Sequence, residues 1–272
     1  MNQSRYIPEF SLLAATSVLS ILGFWELYFG SQANPQPHHF LHTATSFIWL
    51  FLLFAQLYLV SRGKYHSHKS VGMFVLGVAP LVIGTTAALS VHSAHKGLLS
   101  GQGDFLIVQN VMVTVQLALL VILAFLFRKR RALHGSLLIS TAILFAGIAL
   151  FFTLIGFIPM FRIEGPETFY RFGTAAMTGQ AICLAAGFLL FVTSPRTRWP
   201  YLLAAAFFPL NGAINGLLEG LNLIDPLTVA VGSQSPILTF FATFLLVLLI
   251  LWHLIGPITG QAPERRADQA GV

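Results

Sequence analysis

Long apolar stretches, each of about 20 residues, recur along the whole chain and are separated by short polar connections. A helix of that length crosses the hydrocarbon core of a bilayer and satisfies its own backbone hydrogen bonds there. The pattern predicts eight transmembrane helices: 10–29, 40–61, 70–91, 105–127, 134–158, 172–193, 200–221 and 235–256. We therefore expect an all-α, polytopic helical bundle that forms a single integral-membrane domain over residues 1–272.

The composition agrees with this pattern. Hydrophobic residues make up 56% of the chain and charged residues 9%, whereas roughly 25% of the residues in soluble domains are charged. The predicted helices occupy most of the sequence, so no stretch remains that is long enough for a separate soluble domain. The lipid bilayer is thus the first partner that we expect.

The basic residues alternate between the two ends of the predicted helices. One set of ends carries Arg5, Arg62, Lys64, Lys69, Arg128, Lys129, Arg130, Arg131, Arg196, Arg198, Arg265 and Arg266, and the other carries Lys96, Arg162 and Arg171. Basic residues concentrate in cytoplasmic loops, so both termini are predicted to be cytoplasmic. The net charge of +6 then reflects orientation in a membrane, and no nucleic-acid partner is expected. A bacterial inner membrane is the expected location.

The nine histidines fall into two layers in this orientation. The outer layer contains His38, His39, His42, His92 and His95, and the cytoplasmic layer contains His66, His68, His134 and His253. Between the layers, the middle of the predicted helices is almost free of charge. Ionisable residues are costly in a membrane and are typically functional there, so the two layers are the candidate sites.

A transition-metal site is one interpretation of the outer layer. Two H-x-x-H pairs, at 39–42 and 92–95, lie at the same depth on predicted antiparallel neighbours. Imidazole suits Zn, Cu and Fe, and a nearby carboxylate can add a ligand or a general base. The predicted metal ligands are His39, His42, His92, His95, Glu26 and Glu219.

A b-type haem is a second interpretation, since it needs two axial imidazoles that face each other from different helices. His42 with His92 on the outer side, or His68 with His134 on the cytoplasmic side, supplies such a pair. Two haems would form an electron path across the membrane. The single cysteine, Cys183, excludes disulfides and covalent c-type haem attachment.

Two further interpretations stay open for the outer layer. Glu26, Glu219 and the outer histidines can titrate near physiological pH, which suits a proton or solute pathway in a small-solute transporter. The same histidines can also be merely solvated among the lipid headgroups. The sparse midplane disfavours transport, because transporters usually carry broken helices and polar sites there.

The seventh predicted helix carries a polar stripe beside a ridge of small residues. Asn211, Asn215 and Glu219 recur every four residues, so they share one face. The ridge consists of Gly212, Gly216 and Gly220. Small residues at this spacing allow close helix approach, so we expect this helix inside the bundle with Glu219 facing a polar interior. Lone amides in the middle of other spans are predicted to form interhelical hydrogen bonds: Gln56, Gln116 and Gln180.

Residues 42–155 resemble a broad group of bacterial predicted membrane proteins of unknown function. That group has a four-helix core with a His at the start of the first helix, an "H-R-x-x-G" motif in the second and an "H-R/K-R-x-M" motif in the fourth. His42, His68 with Gly72, and His134 match these positions.

The match to this group is incomplete. Lys69 stands where Arg is usual, and "HGSLL" replaces the Arg-and-Met version of the last motif. The layout is also similar to cytochrome b561-type and respiratory-oxidase assembly proteins. This similarity is one of architecture and not of function. It favours the haem interpretation without identifying a substrate.

The sequence thus predicts an integral membrane protein that binds haem or a transition metal through interfacial histidines. Electron transfer or respiratory-complex assembly is the expected role. A metal-dependent membrane enzyme that uses the outer His and Glu residues, or a small-solute transporter, is the alternative.

Overall fold

The computed structural model describes residues 6–31, 33–101, 103–194 and 197–256. In this part of the chain there are ten α-helices, two short 3-10 turns and no strand. The helices are α1 (Ile7–Gly23), α2 (Trp25–Phe29), α3 (Pro37–Ser61), α4 (Tyr65–Ser100), α5 (Ile107–Leu126), α6 (Arg131–Phe157), α7 (Tyr170–Thr193), α8 (Trp199–Gly220), α9 (Ile224–Gly232) and α10 (Pro236–Ile255). The prediction of an all-helical protein is confirmed for the described residues.

Seven helices in the described part are long and apolar enough to cross a membrane: α3, α4, α5, α6, α7, α8 and α10. Each contains an apolar window with few charged residues, which is the composition that lipid requires. The chain therefore has the helices of a multi-pass membrane protein. Of the predicted cytoplasmic residues, Arg5, Arg196, Arg265 and Arg266 lie outside the described residues.

The first predicted span, 10–29, differs from the structure. Here the chain forms the 17-residue helix α1, a break at Phe24 and the short helix α2. At about 1.5 Å per residue, α1 is about 26 Å long, slightly less than the hydrocarbon core. The chain packs closely against α6 at this break. A Cβ atom on Gly23 would overlap the carbonyl of Ala149 in α6.

Helix α4 is longer than the predicted span 70–91. It has 36 residues, so it is about 54 Å long and exceeds the thickness of the hydrocarbon core. Both ends therefore extend beyond a span of ordinary length. His66 and His68, which are predicted to be cytoplasmic, lie in its first turns, and His92 and His95, which are predicted to lie on the outer side, are in its last turns.

Helix α6 lies at the centre of the bundle. It packs against α1, α5, α7 and α8, and most of its apolar window is buried. Its Thr141 accepts a hydrogen bond of 3.0 Å from the indole Nε1 of Trp49 in α3, and both side chains are fully buried. This bond satisfies two polar groups that lipid cannot satisfy.

The predicted role of the glycine ridge in α8 is wrong. Gly212, Gly216 and Gly220 are exposed, and a Cβ on Gly216 or Gly220 would meet open space. Glu219 is exposed as well. The spacing shows which residues share a face but does not show which face has a neighbour.

The N-terminal half of α8 makes the close contact instead. Gly187 of α7 lies against it, where a Cβ would overlap the Cβ of Ala205 and approach the carbonyl of Tyr201 to 2.9 Å. The buried residues of α8 end at Asn211, and the residues beyond it in this helix are exposed or only half-buried.

Candidate functional site

The outer ends of α3 and α4 bring two predicted histidines into contact. Thr45 of α3 and Thr85 of α4 share a hydrogen bond of 2.9 Å. The helices are antiparallel, so moving seven residues outward along each, about two turns, leads to His38 and His92. Their rings stack with centroids 3.8 Å apart and an interplanar angle of 10°. This contact involves His38, which is outside the two H-x-x-H pairs, so the equal depth of those pairs stays a prediction.

His39 is held by the start of its own helix. Its ring centroid lies 4.1 Å from that of His38. The backbone N–H of Gln36 donates a hydrogen bond of 2.9 Å to its Nδ1, which caps the helix. Because Nδ1 accepts this bond, the proton of the neutral ring lies on Nε2.

His95 is held by α9. Its Nδ1 lies 3.2 Å from the carbonyl oxygen of Gly232, which can only accept a hydrogen bond. The Nδ1–H therefore donates, and Nε2 keeps its lone pair. Gly232 permits this approach, since a Cβ there would lie 2.7 Å from Leu98 and 3.1 Å from the backbone N of His95.

His42 lies one turn deeper than His39 and lines a cavity inside the bundle. Its Nδ1 is buried and has no hydrogen-bond partner in the described part of the chain. Ser46, one turn further along α3, lines the same cavity, and its Oγ is likewise buried without a partner among the described residues. We name the residues His38, His39, His92 and His95 the outer histidine cluster and treat His42 separately.

The two predicted carboxylate ligands lie on exposed positions. Glu26 folds against the backbone of Gly30, and Glu219 is on the exposed half of α8. Within the described residues, no group of three or more His, Cys, Asp and Glu side chains is arranged to hold a metal ion. The residues of the outer histidine cluster are therefore close to one another, but they are not arranged to coordinate a metal ion.

The histidines that are predicted to be cytoplasmic lie on three helices: His66 and His68 on α4, His134 on α6 and His253 on α10. His134, near the start of α6, donates from Nδ1 to the carbonyl oxygen of Ala124 in α5 over 2.8 Å. Its ring also meets that of Phe125 edge-on, with centroids 5.7 Å apart. His68 is half-buried in α4, while His66 and His253 are exposed. The pairing of His68 with His134 stays a prediction.

A buried carboxylate was missed by the sequence reasoning. Glu9 in α1 is 1% exposed. Its Oε1 accepts hydrogen bonds from Ser194 Oγ at 2.9 Å and from Tyr201 OH at 3.5 Å. Its Oε2 has no partner in the described part of the chain. A signal existed, because Glu9 is an acidic residue close to ends that carry almost only basic ones.

An amide cluster joins α5 to α8. Gln116 donates from Nε2 to Asn211 Oδ1, and Asn211 donates from Nδ2 to Gln109 Oε1 over 2.9 Å. The prediction of an interhelical bond is confirmed for Gln116. It is wrong for Gln56, whose buried amide atoms have no partner among the described residues. Gln109 was not predicted, because it lies at the start of a helix rather than in its middle.

Comparisons of this chain with the known protein families, with curated proteins and with solved structures found no match.

Proposed function

We propose that this multi-pass membrane protein binds a transition-metal ion through the outer histidine cluster. The observation that carries the proposal is the convergence of histidines from α3 and α4 at one depth, fixed by the bond between Thr45 and Thr85. The cluster as defined above consists of imidazole groups alone. Imidazole-only sites suit Zn, Cu, Fe or Ni, whereas Ca²⁺ and Mg²⁺ require oxygen ligands.

Within the outer histidine cluster, His95 has the ring arrangement that is most typical of a metal ligand. Histidines that bind metals almost always donate their other ring N–H to a carbonyl or a carboxylate, which fixes the ring and its tautomer. The contact from Nδ1 of His95 to the carbonyl of Gly232 is such an arrangement. Its Nε2 is therefore available at the edge of the cluster.

The stacked pair has to separate when a metal binds. A metal lies in the plane of each imidazole that ligates it, at about 2.0–2.1 Å for zinc. The rings of His38 and His92 are nearly parallel, so one metal cannot lie in both planes. Both side chains are only half-buried, and rotation of one of them lets His92 and His95 bind the same ion.

Titration of the purified protein with zinc or copper(II) chloride, followed by calorimetry, tests the proposal. The protein should carry an affinity tag without histidine. We expect one ion per chain, with affinity reduced about tenfold or more in His92→Ala and His95→Ala. His253→Ala is the matched control, since it removes an exposed histidine at the other end of the bundle. Equal affinities in all three variants would overturn the proposal.

A haem is the second candidate, and the geometry of His134 favours it. The bond from Nδ1 of His134 to the carbonyl of Ala124 leaves Nε2 free to act as an axial ligand. A haem held there with His68 would support electron transfer with a redox partner or within a respiratory complex. A Soret band that His134→Ala removes would support this candidate.

We further propose that α1 is an eighth span and that both termini are cytoplasmic, in a bacterial inner membrane. The alternation of basic residues along the sequence supports this orientation.

A further inference from the structure

The cavity beside His42 lies between α1, α3, α5 and α6. Its volume is about 70 Å³, several times the roughly 10–15 Å³ that one water molecule needs. Three aromatic side chains line it: Phe24 at the break after α1, Phe47 of α3 and Phe145 of α6. The space therefore accommodates a group of several non-hydrogen atoms among aromatic rings.

Some of the polar atoms that line this cavity have a hydrogen-bond partner and others do not. Ser20 Oγ donates to the carbonyl of Thr16 over 2.8 Å, and Thr86 Oγ1 donates to the carbonyl of Val82 over 2.7 Å. His42 Nδ1 and Ser46 Oγ have no such partner within the described residues. A buried polar group without a partner is costly, so these two positions require a hydrogen-bonding occupant.

The two residues whose polar atoms have no partner in the described part of the chain lie on the same wall of the cavity. His42 and Ser46 are four residues apart in α3, so they lie one above the other, about 6 Å apart along the helix. The rest of the wall offers apolar and aromatic contact. A matching ligand has an apolar ring for the phenylalanines and an oxygen that lies between His42 and Ser46.

We infer that this cavity binds a lipid-soluble aromatic molecule that carries a hydroxyl or carbonyl oxygen. The ring packs among Phe24, Phe47 and Phe145, and the oxygen takes the hydrogen bonds that His42 and Ser46 lack. The site is separate from the outer histidine cluster, and it needs no metal.

Fluorine NMR with two ligands of nearly equal shape tests this inference. The purified protein in detergent is titrated with 4-fluorophenol and with 4-fluorotoluene, which has a methyl group in place of the hydroxyl. We expect saturable binding of 4-fluorophenol and binding at least threefold weaker for 4-fluorotoluene. Equal binding of the two ligands would overturn the inference.

Two variants and a matched control locate the site. Ser46→Ala and His42→Leu should each weaken 4-fluorophenol binding about threefold to tenfold. Ser20→Ala should leave it unchanged, because Ser20 lines the same cavity but already donates to Thr16. Ser46→Ala is a mild change that keeps the test valid even if His42→Leu does not fold. Wild-type affinity in Ser46→Ala would contradict the inference.

Discussion

His95 and His134 share one arrangement of their imidazole rings. Each donates from Nδ1 to the carbonyl of another helix, Gly232 in α9 or Ala124 in α5. These bonds fix the rings and leave Nε2 available. The sequence placed both residues at helix ends but did not show this arrangement, because the accepting carbonyls are backbone atoms that no motif marks.

Glu9 shows a second limit at the residue scale. Its two hydroxyl partners are 185 and 192 residues away in the sequence. Local spacing therefore gives no sign that the segment between α7 and α8 covers this carboxylate. The position of Glu9, an acidic residue among basic helix ends, could have drawn attention to it. That position indicates a buried carboxylate rather than a catalytic one.

Ser194→Ala should destabilise the protein. The substitution removes the closer of the two hydroxyl donors to Glu9, and it leaves a buried carboxylate with one long hydrogen bond. We expect a loss of about 1–3 kcal/mol in the free energy of unfolding, measured by thermal unfolding in detergent. Ser233→Ala, at an exposed position, is the control. If both variants melt at the same temperature as the wild type, Glu9 does not depend on Ser194.

At the scale of the helices, the bounds of the apolar spans were largely predictable. Seven of the eight predicted spans correspond to helices that are long and apolar enough to cross a membrane. The exception, 10–29, fails at Phe24, where α1 ends against α6. Hydropathy measures the preference of a segment for lipid. A break in the helix does not change the hydropathy of the segment, because the residues on both sides of the break are apolar.

Helix contacts were less predictable than helix bounds. The glycine ridge of α8 has the spacing of a packing surface, yet it is exposed. The close contact uses Gly187 of α7, which the sequence reasoning did not select. Any periodic stripe of small residues allows close approach, but only the tertiary arrangement decides whether a neighbour is there.

Gly187→Ala should destabilise the contact between α7 and α8. The new Cβ would overlap Ala205, so the helices must separate or shift. We expect a loss of about 1–3 kcal/mol in the free energy of unfolding. Gly216→Ala is the matched control, since its Cβ meets open space, and we expect a change within about 0.5 kcal/mol. A larger loss in Gly216→Ala than in Gly187→Ala would show that the ridge, and not Gly187, makes the contact.

At the scale of the whole molecule, the orientation in the membrane is a proposal that rests on the distribution of basic residues. It can be measured with single cysteines, because the native Cys183 is 3% exposed and should react poorly. Glu167→Cys and Lys129→Cys both place a thiol at an exposed position, on opposite sides in our proposal. A membrane-impermeant maleimide should label Glu167→Cys in intact cells and Lys129→Cys only after permeabilisation. The reverse pattern would invert the proposed topology.

The predicted histidine ligands of a metal were His39 and His42 with His92 and His95, and His38 was not among them. The grouping of all five histidines in one layer was predicted from the alternation of basic residues. The antiparallel packing of α3 and α4 supports that part. The stacking of His38 on His92 was not predictable, because half-buried side chains at helix ends choose among several rotamers. In our proposal, the sequence indicates where a metal binds, and the side-chain arrangement determines which imidazole ring must move.

The most direct test of metal binding is elemental analysis of the purified protein together with its absorption spectrum. Our account predicts about one zinc, copper or iron ion per chain and no Soret band. Iron with a Soret band would contradict the metal-ion proposal and favour haem. Absence of both metal and haem, after the protein has been incubated with each metal and repurified, would contradict the account.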